Sequence, residues 1–431
     1  MCKQTITLML LLLVIISGPG FAAETEDLAK ENAKLQQRVE QVEQELLGLK
    51  RDLAKQATTT SSQKNVATKN PVWSNLDIQI YGYIKADASY DQLRSTPGNY
   101  VVYLNPETGE KNDDEFNLTA KQTRLGMNIK GPQDNGMQAS GKIEFDFYNT
   151  GAENKGAIQM RHGYLVLDWP DEQFSILAGQ ASDVISPLVP STLNYTVLWD
   201  CGNIGYRRPQ IRLTKTMPLG NDSSFKAEAA IARAIGRTTP TNSESGEDSG
   251  FPNVQARTSF TFPFGGHKPT TVGFSGHWGQ EEYDITGKHR TLETWSVNTD
   301  FTQPVSKDLT VKGEFYHGVN MNTFLGGIGQ GVNTTDTSNP FEIAATGGWV
   351  AATLGPWDSW TFNLGAGIDT VRNNDVVAGN RTRNLCAFAN AIYSINKNTQ
   401  IGFELSQWDT SYKGPGDAES LRGQMSLIYK F

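Results

Sequence analysis

The stretch IQIYGYIKADA at residues 78–88 decides the fold class of this chain. Apolar or small side chains at the even positions alternate with polar or tyrosine side chains at the odd positions. A period of two is the pattern of a β-strand with one apolar and one polar face. The same period returns at residues 360–369 and 421–431, so the pattern predicts an all-β fold that extends to the last residue.

A membrane barrel fits these strands better than a soluble sandwich. The predicted strands are about ten to thirteen residues long, which exceeds the ~5–6 residues common in soluble sheets and suits a tilted membrane span. Their polar faces carry charges such as Lys142, Glu144 and Asp146, which a packed sandwich core would exclude. We therefore predict that residues 76–431 form an antiparallel transmembrane β-barrel with lipid outside and water inside.

Alternating connections give the number of strands. Seven short turns fall at residues 131–136, 169–173, 218–223, 265–269, 303–308, 355–358 and 396–399. Eight longer, more polar loops fall at residues 92–115, 149–157, 181–206, 235–252, 281–290, 320–341, 372–381 and 412–419. Together they predict about sixteen strands, with both barrel termini on the short-turn, periplasmic side. A barrel of this width leaves an aqueous channel.

Composition excludes several classes of protein. The chain has 431 residues, a formal net charge of −8 and 10% aromatic residues. The acidic balance argues against a nucleic-acid-binding protein, and the aromatic content excludes a disordered chain. Beyond the amino terminus no stretch approaches the ~18–20 apolar residues of a spanning helix, which excludes a helical membrane protein.

Residues 1–22 have the pattern of a signal peptide. Lys3 precedes an apolar run at residues 8–16, and Gly20 and Ala22 give the small-x-small pattern of a cleavage site. The mature chain then keeps two cysteines, Cys201 and Cys386, between which an oxidising compartment would allow a disulfide.

Residues 23–56 are predicted to form a coiled coil, followed by a Thr/Ser-rich linker at residues 57–75. Apolar residues recur in two tracks that repeat every seven residues, with Asn32 as the one polar core position. The apolar heptad positions are Leu28, Leu35, Val39, Val42, Leu46, Leu49 and Leu53. A helix this short with so narrow an apolar stripe is marginal alone, so self-association is favoured over a single solvated helix. The pattern leaves the number of associated chains open.

Arginines dominate the predicted lumen face. The long loop at residues 181–206 follows the fifth strand, where general porins fold a loop inward, and Arg207 and Arg208 come directly after it. Strand parity then points Gln210, Arg212 and Thr214 inward, and Ile211 and Leu213 toward lipid. The candidate constriction residues are Arg124, Lys142, Arg161, Arg207, Arg208, Arg212 and Arg257.

Two interpretations of these basic residues stay open. Arginine binds carboxylates or phosphates bidentately, and rings of Arg or Lys favour anions in pores. Alternatively, each arginine pairs with a lumen carboxylate and only stiffens the wall. The five histidines show no metal-ligand spacing and no Ser–His pairing stands out, so neither an enzyme nor a cofactor or metal is predicted.

The order of segments resembles one family in particular. A signal peptide, a heptad helix, a Thr/Ser linker and then IYGYIKAD at residues 80–87 is similar to the opening of DcaP-like outer-membrane porins. Further matches are Thr123-Arg124-Leu125-Gly126, Ala178-Gly179-Gln180, Arg208-Pro209-Gln210-Ile211-Arg212 and Tyr429-Lys430-Phe431. The matches run from the leader to the last residue.

This resemblance implies a homotrimer of sixteen-stranded barrels in the outer membrane of a Gram-negative bacterium, with the coiled coils bundled in the periplasm. It also implies passive uptake of small anions, chiefly dicarboxylates, and a binding role for Arg124, Arg207, Arg208 and Arg212. Two alternatives are a phosphate-selective porin, which would use more Lys than Arg, and a structural protein whose coiled coil tethers the membrane to the cell wall.

Overall fold

The computed structural model describes residues 34, 37–38, 40–45, 47–48, 75–107, 113–148, 156–235, 247–265, 268–285, 288–336 and 338–431. The chain divides into two compact units, Met1–Pro71 and Val72–Phe431, which are described separately. Among the described residues no helix is long and apolar enough to cross a membrane.

The described residues of the first unit are helical and exposed. Of the predicted heptad positions only Val42 lies among them, and 54% of its surface is accessible in this single chain. The signal peptide, the other heptad residues and most of the linker lie outside the described residues. The coiled coil therefore stays a prediction.

The second unit is a closed antiparallel barrel of sixteen strands, as predicted. In chain order the strands are β1 Asp77–Asp91, β2 Glu115–Thr119 with Arg124–Asp134, β3 Met137–Asp146, β4 Gln159–Trp169, β5 Phe174–Ser182, β6 Arg207–Gly220, β7 Ser223–Ala232, β8 Asn253–Phe262, β9 Thr270–Ile285, β10 Lys288–Pro304, β11 Leu309–Val319, β12 Ala344–Trp357, β13 Trp360–Val371, β14 Arg381–Ser394, β15 Thr399–Tyr412 and β16 Ala418–Lys430. β2 is one barrel strand in two segments, because both segments pair with β1.

The first and last strands close the barrel. β1 pairs with β16 over the register from Tyr83 with Lys430 to Asp91 with Arg422. Gly82 and Phe431 complete the seam with two backbone hydrogen bonds of 3.1 Å, one in each direction. Every strand thus has two neighbours, and both barrel termini lie at the short-turn end.

Strand faces alternate as the period of two predicted. On β8 the side chains of Asn253, Gln255 and Arg257 are buried inside, whereas Val254 and Phe260 point outward and are exposed. β6 follows the predicted parity, with Gln210 buried and Ile211 exposed. An outward apolar face and an inward polar face are what a lipid-embedded, water-lined wall requires.

Connections also follow the predicted alternation, with one correction. The loop predicted at residues 281–290 is wrong, because β9 extends to Ile285 and β10 begins at Lys288. The register stays paired through Tyr283 with Arg290. Tyr283 and Leu292 bury their side chains together with Val332, so apolar packing extends this hairpin beyond the other strands.

Three long connections fill one side of the lumen: L1 (residues 92–114), L3 (183–206) and L6 (320–343). Apolar side chains of L1 and L3 pack against the inner faces of β12, β14 and β15. A second apolar cluster joins L3, L6 and β11. The buried apolar residues of these loops include Leu93, Val101, Leu104, Ile185, Leu198, Cys201, Ile204, Met321 and Phe324. The interior therefore contains a small apolar core within a polar wall.

Substitution of Gly82 should impair barrel closure. A Cβ at Gly82 would lie 2.3 Å from the carbonyl oxygen of Arg124, so β1 would have to shift against β2. We expect Gly82→Ala to lower the free energy of unfolding by about 1–3 kcal/mol, measured as an earlier loss of the heat-modifiable gel band. Gly423→Ala on β16 is the matched control, since its Cβ would meet Leu405 at an ordinary 3.8 Å. If both variants lost the heat-modifiable gel band at the same temperature, the close approach of Gly82 to Arg124 would be contradicted.

Candidate pore site

L3 crosses the lumen and is fixed to the opposite wall. The Glu404 carboxylate of β15 accepts the backbone N–H groups of Leu193 at 2.6 Å and Asn194 at 3.1 Å. Lys85 of β1 and Gln424 of β16 both donate to the carbonyl oxygen of Leu193, at 2.7 and 3.0 Å. A carboxylate that accepts two backbone amides holds a loop more strongly than neutral contacts do. The inward fold predicted for this loop is confirmed.

The returning limb of L3 (residues 199–206), which leads into β6, contacts the wall even more closely. Cys201 donates its thiol hydrogen to the Gly367 carbonyl oxygen at 3.2 Å, and Asn384 donates to the Asp200 carbonyl oxygen at 2.8 Å. A Cβ at Gly367 would lie only 2.1 Å from the Cys201 carbonyl oxygen, so glycine is required for this approach. The backbone of L3 is thus packed directly onto β13 and β14.

The two cysteines of the barrel are free thiols. Cys201 and Cys386 are both buried in the same apolar cluster, although 185 positions separate them in sequence. They pack together without the disulfide that an oxidising compartment would allow.

A cavity of about 290 Å³ lies between L3 and the inner wall on the side of β1 to β6. The wall contributes basic side chains, and L3 contributes aromatic ones. The residues that carry these two sets are Arg124, Arg161 and Arg207, and Tyr195, Trp199 and Tyr206. The cavity is therefore basic on one side and aromatic on the other.

The basic corner at β2 to β4 holds more positive than negative charge. Arg161 pairs with Glu144 at 2.8 Å and with Asp146 at 2.7 Å. Arg124 and Lys142 lie 3.7 and 3.6 Å from the same Glu144 carboxylate. Three cations share two carboxylates, so this corner keeps a net positive charge.

Arg207 has a different environment. Only 7% of its surface is accessible, and its Nε and Nη2 atoms are buried without a hydrogen-bond partner. The guanidinium carbon lies 4.9 Å from the centre of the Tyr206 ring and 5.9 Å from that of Trp199. Within the described ranges it is the one candidate without a carboxylate at ion-pair distance. A buried cation without a paired anion is costly.

The other three candidates lie outside the cavity and are paired. Arg208, 1% accessible, contacts Asp183 at 2.7 Å behind L3. Arg257 binds Asp300 bidentately at 2.9 and 2.7 Å, and Arg212 lies 3.9 Å from Glu228. Their geometry matches the interpretation in which arginines stiffen the barrel wall.

Sequence reasoning missed the aromatic side of the cavity. Tyr195, Trp199 and Tyr206 stand in a loop without periodicity, and their meeting depends on the path of L3 through the lumen. The loop at residues 320–341 was predicted, but its path into the lumen was not, because its glycine-rich segment resembles ordinary loop sequence. Within the part of the chain that the structure describes, no group of three or more His, Cys, Asp or Glu side chains could hold a metal ion.

Known structures share the architecture. The outer membrane channel DcaP of Acinetobacter baumannii aligns with a TM-score of 0.66 and 18% identity over 86% of this chain and 100% of that chain. An anion-selective porin from Comamonas acidovorans aligns with a TM-score of 0.52 and 12% identity over 83% and 100%. OmpT of Vibrio cholerae, in a trimer form, gives 0.52 and 13% over 83% and 99%. At these identities the likeness shows the fold alone.

The family assignment comes from the sequence. The DcaP outer membrane protein family matches residues 19–265, which is more than half of the chain. The chain belongs to the DcaP outer membrane protein family. It is located in the outer membrane of a Gram-negative bacterium and has the fold of a porin channel. No curated protein matches it in sequence.

The two adjacent arginines of β6 should differ in their effect on stability. Arg208→Gln removes the cation that pairs with the buried Asp183 and should destabilise the barrel by about 3–5 kcal/mol. Arg207→Gln removes a cation without an ion pair and should change stability by at most ~1 kcal/mol. The measurement is the denaturant midpoint of the purified barrel in detergent. A larger loss in Arg207→Gln would show that the guanidinium of Arg207 is structural.

Proposed function

We propose that this member of the DcaP family is a trimeric diffusion channel for small anions, chiefly dicarboxylates, with Arg207 at its constriction. The observation that carries the proposal is the guanidinium of Arg207, which lines the cavity and whose buried Nε and Nη2 atoms have no hydrogen-bond partner among the described residues. A solute carboxylate would supply the missing acceptors in a bidentate geometry.

A second carboxylate would find a second cationic position. Arg124 and Arg161 line the same cavity as Arg207, and their corner carries a net positive charge. Arg161 already pairs with two carboxylates. An anion beside it would therefore be attracted mainly by the net positive charge of the corner and not by a new ion pair. Weak attraction of this kind suits conduction, because a channel solute must also leave.

The chemistry of the cavity favours carboxylates over phosphate as the solute. Every cation that lines it is an arginine, whereas a phosphate-selective pore was expected to use more lysine. The cavity of about 290 Å³ is at the small end of ligand sites, which suits a solute of a few carbon atoms. The alternative in which the protein tethers the outer membrane to the cell wall rests on the coiled coil alone.

Neutralising Arg207 should reduce anion selectivity. In a planar bilayer under a salt gradient, Arg207→Gln should lower the anion-over-cation permeability ratio about two- to fivefold, because one of the cations at the constriction is lost. The measured quantity is the zero-current potential. Arg383→Gln is the matched control, since Arg383 is an exposed arginine that pairs with Asp409 at 2.9 Å away from the cavity.

Dicarboxylate block separates the solute classes in the same recordings. A four-carbon dicarboxylate should block the wild-type current at lower concentration than the matching monocarboxylate or inorganic phosphate, and Arg207→Gln should remove that difference. Cation selectivity of the wild type, or stronger block by phosphate, would refute the proposed substrate class.

Self-association is proposed to involve both the coiled coil and the barrel walls. The support is the heptad pattern with Leu28, Leu35, Val42 and Leu49 in one track, together with the trimer form of the related OmpT fold. The coiled coil would then lie in the periplasm, because both barrel termini are at the short-turn end.

Deletion of residues 24–56 tests both the trimer and the tether. We expect native mass spectrometry of the detergent-extracted full-length chain to give three copies, and the deletion to shift the population toward monomers because the heptad contacts are lost. The deleted chain should keep its conductance. Monomers alone from the full chain would contradict the trimer, and intact conductance with a fragile envelope would favour the tether.

A further inference from the structure

L6 contains a left-handed turn. Gly327, Ile328 and Gly329 have φ angles of 68°, 54° and 66° in succession, and Leu325 just before them has 61°. A β-branched residue such as isoleucine rarely adopts a positive φ, and it keeps one only where its surroundings determine it. The Ile328 side chain is fully buried, so its surroundings hold this turn.

The amides of this turn face two buried carboxylates from different parts of the barrel. Gly329 donates its N–H to Asp200 of L3 at 2.7 Å. Gly327 donates to the Tyr316 hydroxyl at 3.2 Å, and Tyr316 donates to Asp369 of β13 at 2.5 Å. Successive amides in such a turn form an anion-binding concavity. Here the anions belong to the protein, so the turn links L3 to the wall.

L6 also holds the backbone of the returning L3 limb. Asp200 donates its N–H to the Leu325 carbonyl oxygen at 2.8 Å, and Gly205 donates to that of Phe324 at 2.8 Å. The Phe324 ring lies 3.9 Å from the guanidinium carbon of Arg208 and 4.0 Å from the ring of His277. L6 is therefore anchored in the wall, and L3 is anchored on L6.

The Asp200 carboxylate is almost fully buried. Burial raises the pKa of Asp200 to about 6, while the Gly329 amide and the positive charge of Arg381 act in the opposite direction. The Gly329 N–H at 2.7 Å therefore stabilises the ionised form of this carboxyl. Loss of this carboxylate should loosen the limb that carries Trp199 and leads into Arg207.

We propose that Asp200 and the turn Gly327–Ile328–Gly329 are positioning elements of the pore, which hold the returning limb of L3 so that Arg207 stays against Trp199 and Tyr206. The part that concerns Arg207 rests on the proposed function. The part that concerns the position of L3 stands on the contacts between L3, L6 and the wall.

The test uses Cys201 as a native reporter, because it follows Asp200 directly and is fully buried. In a Cys386→Ser background the mature chain has this single thiol. We expect a maleimide to label folded Asp200→Ala at least about tenfold faster than the parent, since local opening exposes the thiol. Asp200→Asn should show a smaller increase. The matched control is Asp375→Asn, because Asp375 is a buried loop carboxylate that accepts the Ala344 amide at 3.0 Å outside L3.

Bilayer recordings of the same variants supply the functional measurement. Asp200→Ala should raise open-channel current noise and lower the permeability ratio toward that of Arg207→Gln, while Asp375→Asn stays at the parent value. A Cys201 that stays protected in Asp200→Ala, with unchanged noise and selectivity, overturns the inference even if Arg207→Gln behaves as expected. If Asp200→Ala raises the labelling rate and the current noise while Arg207→Gln has no effect on selectivity, the positioning of L3 is supported and only the anion site is refuted. If Asp200→Ala fails to fold, Asp200→Asn decides by the same criteria.

Discussion

Backbone hydrogen bonding in lipid is the constraint on which the rest of this structure depends. Hydrocarbon offers no partner for an N–H or C=O group, so a membrane sheet cannot have a free edge. β1 must therefore pair with β16, and Gly82 with Phe431, although these strands lie at opposite ends of the barrel sequence. With sixteen strands the closed wall encloses more space than its own side chains fill. That space has to be organised by the loops.

The loops fill this space on one side of the lumen only. L1, L3 and L6 bring apolar side chains into a lumen whose wall is polar, and they bury them against β11 to β15. Carboxylates and amides of the wall, such as Glu404 and Asn384, bind the loop backbones that this burial removes from water. One side of the barrel is thereby filled. The other side keeps the cavity that Arg207 lines, where no carboxylate of the described residues pairs with its guanidinium.

The arginines show how one residue type acquires two roles. Arg208 and Arg257 are surrounded by carboxylates that match their geometry, so their charge is compensated within the protein. Arg207 lies against the faces of Trp199 and Tyr206, which attract a cation more weakly than a carboxylate does. Strand parity predicts that Arg208, rather than Arg207, faces the lumen. In the structure Arg207 nevertheless lines the cavity and Arg208 does not, because Arg207 is the first residue of β6, where L3 joins the wall.

Much of the fold could be predicted from sequence because its causes are local. A period of two specifies strand faces, turn lengths specify the alternation of connections, and lipid allows only a closed sheet, so β6 and β8 follow the predicted parity. The same local patterns placed seven basic residues on the lumen side but could not rank them. Whether a guanidinium is paired depends on carboxylates from distant strands and on the route of L3, which Glu404 and the left-handed turn of L6 determine. The sequence by itself determined the wall, and only the tertiary structure decided the pore, because the loop contacts that shape it join residues hundreds of positions apart.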